Sequence, residues 1–94
     1  MLFSIICLDK PDHFELRSKM RPDHLKWLES YAPAALFIGP LIAENGTTMI
    51  GSLYVAEFVD LAAAKAFQKS DPFNKAGLFE RVIINATRNV AKPK

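Results

Sequence analysis

The chain has a single cysteine, Cys7, so it can form neither an intrachain disulfide nor a thiolate metal cluster. It has no excess of charge of either sign: 12 Lys and Arg stand against 10 Asp and Glu, for a net charge of +2. The basic residues are scattered rather than gathered in a stripe with exposed aromatics, which argues against a nucleic-acid partner. Only the tail "RNVAKPK" is basic, and Arg88, Lys92 and Lys94 read as a solvated end. The opening "MLFSIICLDKPD" lacks a basic start, and its apolar run is too short for a secretory segment or a membrane span. A cytoplasmic protein with no membrane partner is therefore expected. There is no Gly-rich phosphate loop, so a nucleotide cofactor is not indicated. His13 has no second histidine three or four residues on, and neither a metal nor any other cofactor is expected.

What the chain does have is apolar residues, half of its 94. That length suits one small domain spanning residues 1–94. Leu2 to Leu8 is apolar on both alternating faces, with Phe3, Ile5 and Cys7 on one and Leu2, Ile6 and Leu8 on the other. It reads as a strand covered on two sides, with Cys7 acting as a small hydrophobe. "DHFE" matches a capping box, Asp12 as N-cap and Glu15 at N3, for a helix from His13 to about Met20. Pro22 then kinks that helix or opens a second one as its first residue. In the second case Leu25, Leu28 and Tyr31 form its apolar stripe, and Pro33 ends it.

"AALFIGPLIA" is a second strand, and its Gly39-Pro40 interruption suits a sheet edge or a bulge. "ENGTT" supplies an Asn45-Gly46 hairpin turn into a third strand, Met49 to Phe58. Asp60 caps the helix "LAAAKAFQK". "SDPFNKAG" is a short capped turn with Asp71 as N-cap, Pro72 at N1 and Gly77 as its exit, before a last strand from Phe79 to about Val90. The order βαββαβ fits a ferredoxin-like α+β fold, an antiparallel sheet with two helices on one face. Strands one and three are apolar on both faces, so the face without helices is expected to pair with a second copy in a homodimer.

Two residues stand out as chemistry. His24, in the first turn of a helix opened by Pro22, would feel the positive end of the dipole, offset in part by Asp23. A neutral imidazole there could serve as a general base or could equally be packing against Trp27 and Leu28. Asp71 has a structural job as a cap. With strands one and three parallel, both helices would run the same way. His24 lies 12 residues past Asp12 and Asp71 lies 11 past Asp60, so the two would sit at similar depth. A carboxylate there would fix the imidazole tautomer and stabilise the imidazolium. No serine, threonine or cysteine has the context of a nucleophile. Arg17 and Arg21, four apart on one helical face, are either solvated or able to bind an anionic substrate. Trp27, Tyr31, Phe37 and Tyr54 read as core or interface.

"RSKMRPDHLKWL", "IGP" at Ile38 to Pro40, "GSLYVAEF" from Gly51 and "SDPFNKAGLFE" from Ser70 together resemble the blocks of the YciI-like (YCII-related) family, in order and over nearly the whole chain. The resemblance implies a dimeric α/β-barrel fold and a His–Asp pair of active-site residues, which falls on His24 and Asp71. Similar families include chloromuconolactone dehalogenase-type enzymes of aromatic degradation. The short turn "ENGTT" and the exit "SYAPAALF" without glycine depart from many relatives, so no substrate carries over. The expectation is an acid–base enzyme acting on a small anionic organic molecule such as a lactone or chlorinated aromatic breakdown product. A non-catalytic ligand-binding or interaction module is the alternative. A cofactor-free monooxygenase is a third reading, against which the His–Asp motif argues.

Overall fold

The structure, a computed structural model, describes residues 1–91; Lys92 and Lys94 of the basic tail lie outside them. Its elements are β1 (Leu2–Asp9), α1 (Phe14–Tyr31), β2 (Ala35–Ile42), β3 (Met49–Glu57), α2 (Leu61–Ser70), α3 (Pro72–Lys75) and β4 (Phe79–Thr87). The four strands form one sheet in the order β2-β3-β1-β4, with every neighbouring pair antiparallel. This is the expected ferredoxin-like arrangement. Pro40 lies on an edge strand, where its missing N–H interrupts no central ladder.

One topological expectation is overturned. β1 and β3 are neighbours, but they pair antiparallel, Ile5 opposite Tyr54 and Cys7 opposite Ser52. The helices that follow them therefore return in opposite directions, and equal distance from their caps does not mean equal depth. Residues of the two helical segments meet because the middle of α1 passes the end of α2, not because two parallel helices are in step.

Of the two readings of Pro22, the one in which it opens a second helix is overturned. α1 is one continuous helix of 18 residues with Pro22 inside it. Pro22 removes a single donor on the exposed side of α1, while Arg17, His24 and Trp27 are buried along the opposite side. Burial of that side on both flanks of the proline outweighs the local penalty of about 3 kcal/mol. His24 is thus mid-helix, without the dipole of a first turn. Nor does Asp12 cap the helix: it adopts a left-handed φ of 58°, and His13 is the N-cap without a side-chain bond. Leu25 and Tyr31, expected in the apolar stripe, are 46% and 67% exposed.

The remaining caps form as expected. Asp60 accepts from the Ala63 N–H at 2.8 Å, and Asp71 accepts from the Phe73 N–H at 2.9 Å. Leu78 N–H bonds Phe73 O and Gly77 N–H bonds Asn74 O, which closes α3 as a Schellman motif with Gly77 at φ 78°. In the "ENGTT" turn, Asn45 Oδ1 accepts from the Thr47 and Thr48 N–H groups.

Phe3, Ile5, Cys7, Trp27, Tyr54 and Ala64 form the core between helices and sheet. Phe67 joins it, stacked on Trp27 with centroids 4.6 Å apart and meeting Tyr54 edge-on at 5.5 Å. Gly51 lets β3 close on β1, since a Cβ there would fall 2.4 Å from Cys7 O. The other sheet face carries Ile6, Leu8, Leu53, Val55 and Ile83, all only partly buried, and no element among the described residues covers it. No helix among those residues is long and apolar enough to cross a membrane.

Candidate functional site

Polar side chains from α1, β3 and α3 gather in the otherwise apolar layer beneath the helices. α1 contributes Arg17, Arg21 and His24 along one side, three to four residues apart, as neighbours on a helix face must be. β3 contributes Ser52 and Tyr54, two apart and so on one face of the strand. α3 contributes its cap Asp71 and the ring of Phe73.

His24 and Asp71 meet. The Nδ1–H of His24 donates to Asp71 Oδ1 at 2.9 Å, with His24 8% and Asp71 0% exposed. Asp71 Oδ1 also takes the Phe73 N–H, and Oδ2 takes the Tyr54 hydroxyl at 2.7 Å. A fully buried carboxylate is thereby given three donors, the condition for keeping such a charge away from water. With Nδ1 committed to Asp71, the lone pair of the neutral imidazole is on Nε2. Nε2 has no partner among the described residues, and His24 lines a cavity of about 190 Å³.

Burial, reinforced by the charge of Asp71, pushes the Tyr54 hydroxyl far above the usual range for a phenol, so it stays a donor. Burial does the same to Cys7, whose thiol is pushed up to about 12. This fits a residue that packs and does not react.

The two arginines differ. Arg17 is 4% exposed and bidentate to Asp9, Nε to Oδ2 at 2.6 Å and Nη2 to Oδ1 at 2.9 Å. Its Nη2 also donates to Ser52 Oγ at 3.0 Å. Arg21 is exposed, and both line the cavity. The solvated reading of Arg17 is therefore overturned: Asp9 closes the end of β1 with a partner for it, and burial follows.

Phe73 stands between the two groups. His24 stacks on it with centroids 4.1 Å apart and planes at 15°, while the Arg17 guanidinium lies 4.4 Å from its centroid. One ring face cannot hold both, so Phe73 is sandwiched, and the two-turn spacing of Arg17 and His24 leaves about 10 Å for it. The rest of the wall is apolar, including Leu25, Leu28, Ile38 and Met49.

Tyr54, Ser52, Asp9 and Phe73 were not singled out by sequence as site residues. Ser52 carried a weak signal, as a hydroxyl within the apolar run "GSLYV" on the inward register of Tyr54. Asp9 and Tyr54 carried none, because a strand-end carboxylate and a core tyrosine are ordinary. Trp27 is packing: its Nε1–H donates to Ser70 Oγ at 3.0 Å. His13 Nδ1 lies 2.7 Å from Pro11 O, a local turn bond away from the cavity.

Known proteins place this chain in a family. Protein YciI of Escherichia coli O6:H1 is 34% identical over 97 residues, covering 96% of this chain and 99% of its own. An uncharacterised Haemophilus influenzae protein is 32% identical, with 96% and 99% covered. Among solved structures, TftG of Burkholderia phenoliruptrix AC1100, a 5-chloro-2-hydroxyhydroquinone dehydrochlorinase in complex with 2,5-dihydroxybenzoquinone, superposes with a TM-score of 0.86 at 34% identity over 94% of each chain. The YCII-related domain matches residues 1–88, and the chain belongs to the YCII-related family.

Proposed function

We propose that the protein is an acid–base enzyme that acts on a small, ring-shaped, hydroxylated and anionic molecule, with His24 as the proton-transferring group and Asp71 orienting it. The observation that carries this reading is the Nδ1–Asp71 bond, which leaves Nε2 as the acceptor on the cavity side. The cavity, about 190 Å³, is of the scale that holds one aromatic ring, since an apolar cavity of about 150 Å³ takes benzene. Its walls are apolar around a few polar groups, the usual composition of a small-molecule site. Arg21, exposed at the rim, would offset the charge of an anion, and Arg17 would add to the local positive potential.

The similarity to TftG supports a chlorinated hydroxyhydroquinone, or a close relative, as the first substrate to try. In such an elimination the substrate reacts as its keto tautomer, in which a hydroxyl proton has moved to the chlorine-bearing carbon. A second hydroxyl proton passes to Nε2, the ring double bonds shift, and the C–Cl electron pair leaves with chloride to give the quinone, so no external oxidant is needed. Asp71 would stabilise the imidazolium formed, and the Tyr54 hydroxyl would hold Asp71 in place. The half-buried apolar sheet face supports a homodimer formed by pairing two such faces, which sedimentation equilibrium would test.

Chloride release from 5-chloro-2-hydroxyhydroquinone, followed with a chloride electrode, tests the reaction. Turnover by the wild type, lost in a folded His24→Asn variant, is the expected result. Undiminished turnover in that variant would remove His24 from the chemistry. Binding of 2,5-dihydroxybenzoquinone with no turnover of any chlorinated hydroquinone would favour a ligand-binding module.

A further inference from the structure

Ser52 lines the cavity as a buried hydroxyl whose accepting side is occupied and whose proton has no acceptor among the described residues. It is 3% exposed, and its Oγ accepts from Arg17 Nη2 at 3.0 Å. No acceptor among the described residues takes its own proton. A hydroxyl held as an acceptor by a guanidinium is polarised, and it has one proton left to give. Arg17 is itself fixed by two bonds to Asp9, so the orientation of the Ser52 oxygen is set from behind. Gly51 lets β3 lie close against β1, and the pairing of Ser52 with Cys7 sets the sheet face on which Ser52 sits.

The cavity thus has two polar relays on either side of Phe73. One runs from Tyr54 through Asp71 to His24 and ends in an acceptor, Nε2. The other runs from Asp9 through Arg17 to Ser52 and ends in a donor, the hydroxyl proton. A wall with one acceptor and one donor suits a ring that loses a proton at one position and gathers negative charge on an oxygen at another.

We propose that the Ser52 hydroxyl, polarised by Arg17, donates a hydrogen bond to the ligand oxygen that carries the negative charge, so that the site selects phenolates and enolates over neutral rings of the same shape. The assignment rests on the acid–base reading of His24 for its catalytic use but not for its binding consequence. No bond is made or broken at Ser52; it binds the oxygen, while Arg17 and Asp9 are positioning residues.

The test is a binding measurement with a chromophoric anion, 4-nitrophenol at a pH where it is ionised, against neutral 4-nitroanisole. Wild-type protein should bind the phenolate and shift its visible band to shorter wavelength, as hydrogen-bond donation to the oxyanion does. Ser52→Ala should weaken phenolate binding by roughly ten- to a hundredfold and abolish the shift, as loss of a hydrogen bond to a charged group would. It should leave 4-nitroanisole affinity unchanged, and Ser52→Thr, which keeps the hydroxyl, should restore much of the phenolate binding. Equal phenolate affinity in wild type and Ser52→Ala, or equal losses for both ligands, would overturn the proposal. So would the absence of any phenolate binding by the wild type. Because turnover is not the readout, an inactive enzyme with intact phenolate selectivity would sink the acid–base reading alone.

Discussion

The two buried charge pairs that flank Phe73 are built from similar parts and behave differently. Asp9–Arg17 joins a carboxylate to a guanidinium in a bidentate pair whose Arg17 and Asp9 side chains are 5% and 6% exposed. His24–Asp71 joins a carboxylate to a group that can gain or lose a proton, through one bond, with a free nitrogen on the cavity side. The first pair holds a shape; the second holds a shape and, in the function proposed above, passes a proton. The difference teaches that a small domain can place ionised groups in its interior for two purposes at once. What separates the purposes is the second partner of each group rather than its depth.

Breaking the fixed pair should cost most. Arg17→Met leaves Asp9 buried without its partner and should lower unfolding free energy by about 3–5 kcal/mol in urea titration. The double variant Arg17→Met with Asp9→Leu should recover much of that, because no lone charge is left. Equal losses in the single and double variants would mean that packing, not charge, is what Arg17 supplies.

A second effect checks that the interior around both pairs is dry. The Cys7 thiol is raised from its ordinary 9.0 to about 12, chiefly by burial. The folded state therefore holds that proton where the unfolded chain releases it. The stability tied to it is complete below pH 9 and is lost as pH rises towards 12, by roughly 4 kcal/mol across the window. Tyr54 is raised for the same reason and acts in the same direction. Urea midpoints measured from pH 7 to pH 11 should be level to about pH 9 and then fall; a profile flat throughout would mean that water reaches this layer.

Tyr54→Phe, which removes one of three donors from the Asp71 carboxylate, should cost about 1.5–3 kcal/mol. It should also lower kcat more than it raises KM, since Tyr54 acts through Asp71. Arg21→Gln is the smallest case in stability, within about 0.5 kcal/mol because the residue is exposed, yet it should raise KM for an anionic substrate. An unchanged KM would leave the fixed pair as the only cationic influence on the cavity.

Sequence made the strands, their edge at Pro40, the caps at Asp60 and Asp71 and the pairing of His24 with Asp71 accessible, because each rests on a local rule or on an ordered set of blocks. α1 was the hard element, and for a physical reason. Its most buried residues are Arg17, His24 and Trp27, two of them charged or polar, so a rule that follows apolar residues does not find them, and Leu25 and Tyr31 stay largely exposed. Pro22 was read by its local cost, although contacts on both flanks decide whether a helix survives a proline. With β1 and β3 antiparallel, equal depth along the helices is not what links His24 with Asp71. Asp9 carries no signal and Ser52 only a weak one for a different reason: their significance depends on Arg17, 8 and 35 residues away along the chain.

The ring of Phe73 has a consequence for fidelity of pairing. Two carboxylates, a guanidinium and an imidazole share one small interior, and Coulomb attraction alone would favour Arg17 reaching Asp71, the stronger match. Phe73 follows Asp71 by two residues on the same capped turn, so the carboxylate cannot take its place in the fold without bringing its own insulator. That turn thereby keeps a ring between the guanidinium and the imidazole that pairs with Asp71. A smaller side chain at position 73 would be expected to change which partners pair before it changed whether the protein folds.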